Sequence, residues 1–500
     1  MALLARSSLY KTGRVTSLII GLASCPAYAL AQESAPASPA AVAPTATPAP
    51  PPADSTLSRE LAQRVDELDQ RARITERKLE LAQETAAEKP PGASVSADEK
   101  GFAISSPDKA FELKLHALLQ ADARRVFYSD DAVLRDKVDT FLLRRVRPII
   151  DATVLGLVDL RMMPDFGNNT TALYDAYADA HPTPWLRLRA GKFKPPVGLE
   201  RLQTDNYVPF IERSLDSNLS AQRDVGLELW GDLANAAVHY ELAILNGNAD
   251  GTISDVDNEH AKSYAGRLFL RPFQLGDQRA LGDLGFGLAV STGNEKGSGA
   301  LTSGAATNAW LPTFKSPAEN TIYSFVTNTT DPTQTVFASH RHTRINPQLY
   351  YYNGPVGLLA EWVHEYQELG KGVAGGAVNN QAGHATLSWV FGGDNGFDGP
   401  RPRKAASWAA KQLGALELAA RYSWLDLDDL GFTGSAFADP SKSVSAAKDW
   451  GVGLNWWPNR NIKVSGTWDQ TNFTGGAGTT TAVANRPTEK AGFARFQVSF

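Results

Sequence analysis

From Phe111 the chain settles into a period of two, with hydrocarbon on one beat and polar or charged groups on the other. In Phe111-Glu-Leu-Lys-Leu-His-Ala-Leu-Leu-Gln-Ala-Asp-Ala123, the residues Phe111, Leu113, Leu115, Ala117 and Leu119 alternate with Glu112, Lys114, His116, Gln120 and Asp122. Successive side chains of a strand point to opposite faces, so such a segment has one greasy face and one ionic face. The rhythm returns at residues 225–230, 264–271, 416–424, 462–468 and 494–500. Compact turns at residues 181–184, 231–235, 353–355 and 458–461 alternate with long Gly, Asn, Thr and Asp-rich spans at 247–261, 293–339, 368–382, 426–446 and 473–490. Short turns at one end and long loops at the other, around alternating strands, predict an all-β fold. That fold is a transmembrane antiparallel β-barrel of about sixteen strands over residues 100–500, with both ends on the periplasmic side. The connector at residues 393–411 departs from this rule, because it is long and falls on the short-turn side. The chain stops on an aromatic, Phe500, which suits a girdle at the membrane edge.

Basic residues recur on the polar beat. Across residues 141–223 they appear in Phe141-Leu-Leu-Arg-Arg-Val-Arg147, Arg187-Leu-Arg189-Ala-Gly-Lys192-Phe-Lys194, Gly198-Leu-Glu-Arg201 and Glu212-Arg213-Ser-Leu215. Cations on strands are costly unless water reaches them, so these segments are read as lining an aqueous channel. Arg144 and Arg145 are neighbours, and both can face that channel only if a bulge re-aims one of them. Arg187 and Arg189, Arg267 and Arg271, and Arg341 and Arg344 extend a possible graded path, with Asp159, Asp175, Asp179 and Glu228 among them to prevent a sink. The plainer alternative is that such wall arginines pair with acids across the lumen and stiffen it. His340-Arg-His342 has strand spacing for two metal ligands but no acidic partner nearby in sequence, so no metal site is expected. Tyr350-Tyr-Tyr352 reads as membrane girdle.

The N-terminal region has three further parts. Arg6, Lys11 and Arg14 precede an apolar run at residues 15–22, the pattern of a secretory signal covering residues 1–31 with cleavage after Ala31. Leu22-Ala-Ser-Cys25 is an alternative lipoprotein box in which Cys25 would be acylated; with cleavage after Ala31 the only cysteine leaves the mature chain. Residues 32–56 are a Pro/Ala-rich linker that cannot bury a core. Residues 57–89 carry Leu61, Val65, Leu68, Ala72, Thr75, Leu79 and Ala82 at alternating spacings of four and three, a short coiled-coil seam or, failing a partner, a lone amphipathic helix.

The net charge of -5 gives no electrostatic footprint for nucleic acid. No Gly-x-Ser-x-Gly, His-Glu-x-x-His or phosphate-loop pattern occurs, so no enzyme activity and no cofactor are expected.

The motif set between residues 140 and 230 resembles one family. Phe141-Leu-Leu-Arg-Arg, Met163-Pro-Asp-Phe-Gly167, Asp175-Ala-Tyr-Ala-Asp179, Arg189-Ala-Gly-Lys-Phe-Lys-Pro-Pro-Val-Gly-Leu-Glu-Arg201 and Glu212-Arg-Ser-Leu215 are similar to the phosphate-selective porins O and P. The resemblance implies a trimeric outer-membrane porin of sixteen strands whose third loop, here at about residues 196–222, folds inward. It also implies a phosphate held by Arg144 on the wall and by Arg201 and Arg213 on the loop, with Asp175 beside them. This sequence departs from the family pattern at Leu118, where a wall arginine is expected, and at Arg147 and Lys194, where tyrosines are. Thr204 and Asp205 replace a pair of serines. The expected function is passive diffusion of phosphate, pyrophosphate or polyphosphate through an Arg/Lys-lined constriction in the outer membrane, with the N-terminal segment in the periplasm. A porin for sugars or organic acids, or an envelope tether built on the coil, is the alternative.

Overall fold

The computed structural model of the chain describes residues 55–88, 92–127, 139–253, 255, 257, 260–276, 279–301, 307–433 and 437–500. The expected signal peptide, the lipid-box cysteine and nearly all of the Pro/Ala-rich linker lie outside the described residues. The helix Ser55–Glu88 forms a unit of its own, and Leu61, Val65, Leu68 and Leu79 of its seam are exposed. Glu67–Arg71 and Asp69–Arg73 pair at i,i+4 along its side, each worth about 0.3–0.5 kcal/mol.

The remainder is a closed barrel of sixteen antiparallel strands. The first four are β1 (Glu112–Phe127), β2 (Thr140–Val154), β3 (Val158–Asp165) and β4 (Ala172–Thr183), followed by β5 (Leu186–Phe193), β6 (Asp224–Leu233), β7 (Val238–Leu245) and β8 (Ser263–Leu270). Then come β9 (Leu284–Lys296), β10 (Val336–Asn353), β11 (Val356–Lys371) and β12 (Ala374–Phe391). The last are β13 (Ala415–Asp426), β14 (Val444–Trp457), β15 (Ile462–Gly478) and β16 (Glu489–Ser499). Each strand pairs with its sequence neighbour, and β16 pairs back onto β1 from Lys490↔Phe127 to Ser499↔Leu118, so no edge remains. A short hairpin, Ser94–Asp98 with Gly101–Ser105, extends the sheet below β16 by pairing with the start of β1, and Phe102 meets Phe500 edge to face.

The period of two decides which way each residue points. Leu113, Leu115, Leu119, Leu188, Leu227, Leu242, Leu288, Leu418 and Phe496 are exposed on the outside, whereas Gln120, Asp122, Arg147, Glu228, Asn346, Arg421 and Arg495 are buried within. So broad an exposed apolar surface on a closed barrel is matched by lipid, not water.

Three expectations need correction. Residues 368–382 are not a long loop: β11 and β12 continue through them to a tight turn at Gly372, in unbroken register from Lys371↔Ala374 to Val356↔Trp389. The Gly and Asn content that suggests a loop instead tolerates a flat ladder with few side chains. Second, Tyr350 and Tyr352 are not girdle residues, because they face inward, where Tyr350 packs with Phe269 and Phe397 and Tyr352 packs on Tyr350. Third, the interior is not wet throughout. Phe314, Ile322, Tyr323 and Phe325 of the connector after β9 fold into the barrel, meeting Val363, Leu369, Val378, Leu425 and Val444 from the wall in one apolar core. The long connector between β12 and β13 does lie on the short-turn side, as its position in the chain indicates.

Candidate anion-conducting constriction

Residues 194–223 leave β5 and cross the lumen before rejoining the wall at β6. Their apolar side chains Val197, Leu199, Val208, Phe210, Ile211, Leu215 and Leu219 are buried. The far wall holds this crossing by its backbone. Gly198 N donates to Asn346 Oδ1 at 2.9 Å, while Leu199 N and Glu200 N donate to the Glu361 carboxylate at 2.5 and 2.7 Å. Lys463 Nζ reaches Val208 O at 2.7 Å, Asn455 reaches Pro209 O at 2.8 Å and Arg421 reaches Glu212 O at 2.8 Å. Gly198 has φ +84°, and a Cβ there would stand 2.9 Å from Ser220 Oγ, so glycine is what lets the two arms of the loop close on each other.

The crossing divides the near side of the lumen into two cavities. The larger, about 640 Å³, is lined by Leu118, Lys194, Thr204, Asp175 and Arg189 among others; the smaller, about 420 Å³, by Arg144, Arg145, Arg201 and Arg213. Arg147, Asp205 and Arg223 line both, and so form the septum between them.

Two β-bulges supply side chains to this septum that a regular strand would send to lipid. Across β1 and β2, Gln120 faces Arg145 and Ala121 faces Leu143, leaving Arg144 as the extra residue; both Arg144 and Arg145 consequently turn inward. Across β3 and β4, Met163 faces Asp175 and Pro164 faces Leu173, leaving Tyr174 extra. The Tyr174 ring lies between two guanidinium groups, 4.3 Å from that of Arg147 and 4.8 Å from that of Arg223. It orients both without neutralising either.

Each cation also has acidic or carbonyl partners. Arg144 is held by Glu212 at 2.8 Å and by Glu319 at 3.3 Å. Arg147 is held by Asp165 at 2.7 Å and by Asp205, which Arg213 also reaches at 2.7 Å and Arg145 at 3.3 Å. Arg223 pairs with Asp175 at 3.1 Å. Lys194 Nζ donates to Gln203 O at 3.0 Å, and Arg201 donates to Ser217 O at 2.6 Å while its buried Nε–H has no partner among the described residues. On the crossing itself, burial works to raise the Asp205 pKa, but Arg145, Arg147 and Arg213 outweigh it and hold the carboxyl well below the usual range. Burial, followed by repulsion from Arg223, pushes the Lys194 ammonium well below an ordinary lysine. Burial and Arg213 push Arg201 down to about 10.

The eight expected anion-site residues, Arg144, Arg147, Asp175, Lys194, Arg201, Thr204, Asp205 and Arg213, therefore all line one or other cavity, Thr204 on the larger one. The four expected pathway residues are spread more widely. Arg189 lines the larger cavity while paired with Asp179 and Glu228; Arg187 pairs with Asp179 and Asp159. Arg267 pairs with Glu241, and Arg271 caps Ala236 O at a turn. Sequence reasoning did not assign Arg223 or Tyr174, and it left Arg145 undecided. Arg145 shares its beat with Arg147, a signal that was legible, but Tyr174 enters only through a bulge.

His342 does have acidic partners after all, Glu295 at 2.7 Å and Glu365 at 2.8 Å, brought to it by neighbouring strands, whereas His340 is turned away to Ser339. Asp250, His342 and Glu365 lie close enough for a metal, but Arg344 already bonds both Asp250 and His342 as the resident cation. In a second group, Asp216, Glu361 and His384, the Glu361 oxygens are engaged by Leu199 N, Glu200 N and Asn346. Both groups act here as struts.

A closed barrel with hydrocarbon outside and charge-lined cavities inside defines a membrane-spanning pore of the outer-membrane type. The chain belongs to the phosphate-selective porin O and P family, whose profile matches residues 113–500. It is an outer-membrane porin. No curated protein sequence matches it. Solved structures with a related outline include the trimer form of OmpT of Vibrio cholerae (10% identity, TM-score 0.47, covering 78% of this chain and 100% of that one). Two others are an anion-selective porin from Comamonas acidovorans (10%, 0.46, 78% and 100%) and the outer membrane channel DcaP of Acinetobacter baumannii (10%, 0.47, 79% and 99%).

Proposed function

We propose that this porin passes phosphate, pyrophosphate or polyphosphate by passive, anion-selective diffusion, as a homotrimer whose N-terminal helix lies in the periplasm as a coiled coil. The observation that carries the reading is the convergence on the septum and the two cavities beside it of Arg144, Arg145, Arg147, Lys194, Arg201, Arg213 and Arg223, which outnumber the acids they pair with, Asp165, Asp175, Asp205, Glu212 and Glu319. An oxyanion entering the constriction must exchange part of its hydration shell for protein donors. Guanidinium forks supply two donors at a time, and a strand-borne fork is already oriented. Cations on both sides of a thin septum also allow a multivalent chain to engage the next site before it leaves the last, which keeps release fast. Arg147 and Lys194 replace the family's tyrosines with charge, and so favour pyrophosphate over monophosphate.

Titration of phosphate and pyrophosphate into single-channel chloride current tests this. Block by both is expected, with the lower half-blocking concentration for pyrophosphate. Chloride current indifferent to either would contradict it, and tighter block by monophosphate would overturn the preference.

A further inference from the structure

The septum contains an anion of its own. Asp205 is carried by the crossing segment, its side chain is 8% exposed, and its carboxylate is shared by Arg147, by Arg213 at 2.7 Å and by Arg145 at 3.3 Å. The other acids of the cluster are placed differently. Asp165 shares Arg147 at 2.7 Å but is pinned to the backbone at Val146 N and Gly167 N, Asp175 takes Arg223 alone, and Glu212 faces Arg124 and Arg144. Of these four, Asp205 alone lines both cavities. An oxyanion passing from one to the other needs the donors that Asp205 already holds.

We propose that Asp205 is a resident counter-ion that sets how tightly and for how long a permeating anion is bound, an inference that rests on the anion-porin reading above. Three guanidinium groups around an empty centre would hold a multivalent anion tightly and release it slowly, which a conducting site must avoid. A carboxylate on a short tether is present at high effective concentration and competes for those donors at every moment. The arriving anion displaces Asp205 from part of its shell, and Asp205 returns as the anion leaves. The exchange keeps the guanidinium groups paired throughout, so no bare cation cluster is exposed between transits. Release is thereby driven by the protein itself.

The test uses the full-length porin in planar bilayers, with Asp205→Asn, Asp205→Ser and the charge-keeping Asp205→Glu. Folding of each is verified by its heat-dependent shift on a denaturing gel. Inorganic phosphate is titrated into chloride current, and chloride conductance is separately followed to saturation in potassium chloride alone. Asp205→Asn and Asp205→Ser are expected to lower the half-blocking phosphate concentration about tenfold and to lengthen the blocked intervals, with chloride conductance saturating at a correspondingly lower salt concentration. Asp205→Glu is expected to stay near wild type. If the neutral variants are blocked no more tightly, or less tightly, Asp205 is only a strut for its arginines and the proposal is wrong. If phosphate does not block the wild-type pore, the phosphate reading fails, and the chloride saturation alone then decides the role of Asp205.

Discussion

Arg147 on β2 and Asp205 on the segment crossing the lumen form an ion pair 58 residues apart in sequence, at the one place where both cavities meet. Asp165 at 2.7 Å fixes the other edge of the same guanidinium, and the Tyr174 ring covers its face at 4.3 Å. The arginine is thus held on three sides by groups from three different parts of the chain. It orients the crossing segment and supplies charge to the path.

Arg147→Ala should therefore change stability and selectivity together. Asp205 keeps Arg145 and Arg213, but Asp165 loses its ion-pair partner and retains only the Val146 and Gly167 N–H groups, so the folding penalty is expected at about 3–5 kcal/mol. The temperature at which the folded band converts to the unfolded one on a denaturing gel should fall. Phosphate block should weaken in the same variant. Arg147→Lys should keep the charge but lose the fork, and recover only part of the block.

Leu118 stands directly opposite Arg147 in the β1–β2 ladder and lines the larger cavity at 3% exposure. Leu118→Arg would place a further guanidinium beside the septum with water access from that cavity. Phosphate block is expected to tighten several-fold, with anion selectivity raised; weakened block would show that this wall does not face the conducting path.

Alkaline titration should erode anion selectivity early. An ordinary lysine loses its proton near pH 10.4, but Lys194 is held well below that by burial and Arg223, and Arg201 is pushed down to about 10. As pH rises, both groups lose their charge before an ordinary member of their type would, so the cavities lose positive charge early. Zero-current potentials in chloride gradients should fall as pH is raised toward about 10, and Lys194→Met should remove part of that fall.

The crossing segment depends on distant acceptors. Glu361 on β11 takes the backbone N–H groups of both Leu199 and Glu200, each worth about 1–3 kcal/mol if left unsatisfied in a buried place. Glu361→Ala should free the start of the segment, raising single-channel conductance and its noise while weakening phosphate block. An unchanged conductance would mean that the remaining anchors at Lys463, Asn455 and Arg421 suffice.

Much of the barrel was readable because lipid and lumen impose alternation on every strand: the apolar beat of β1 is the outer face residue for residue. What alternation cannot encode is an exception to itself. Arg144 and Tyr174 reach the lumen because two bulges insert one residue each, and adjacent residues give no sign of that without their partner strands. Phe314, Ile322, Tyr323 and Phe325 lie in a polar, Gly-rich connector that reads as solvent-facing, and their core forms only against inward valines and leucines. The residues of the anion cluster were legible as basic motifs. Their sharing of Asp205 was not, since it depends on a crossing that brings residues 145, 147, 205 and 213 to one point.

The most direct measurement is the zero-current potential of the wild-type pore across a tenfold potassium chloride gradient at neutral pH. Excess fixed cations at the septum predict a potential of the sign set by chloride, reduced when Arg147, Arg201 and Arg213 are replaced together by alanine. A potential of the sign set by potassium would contradict the account, since the constriction would then favour cations despite its arginines.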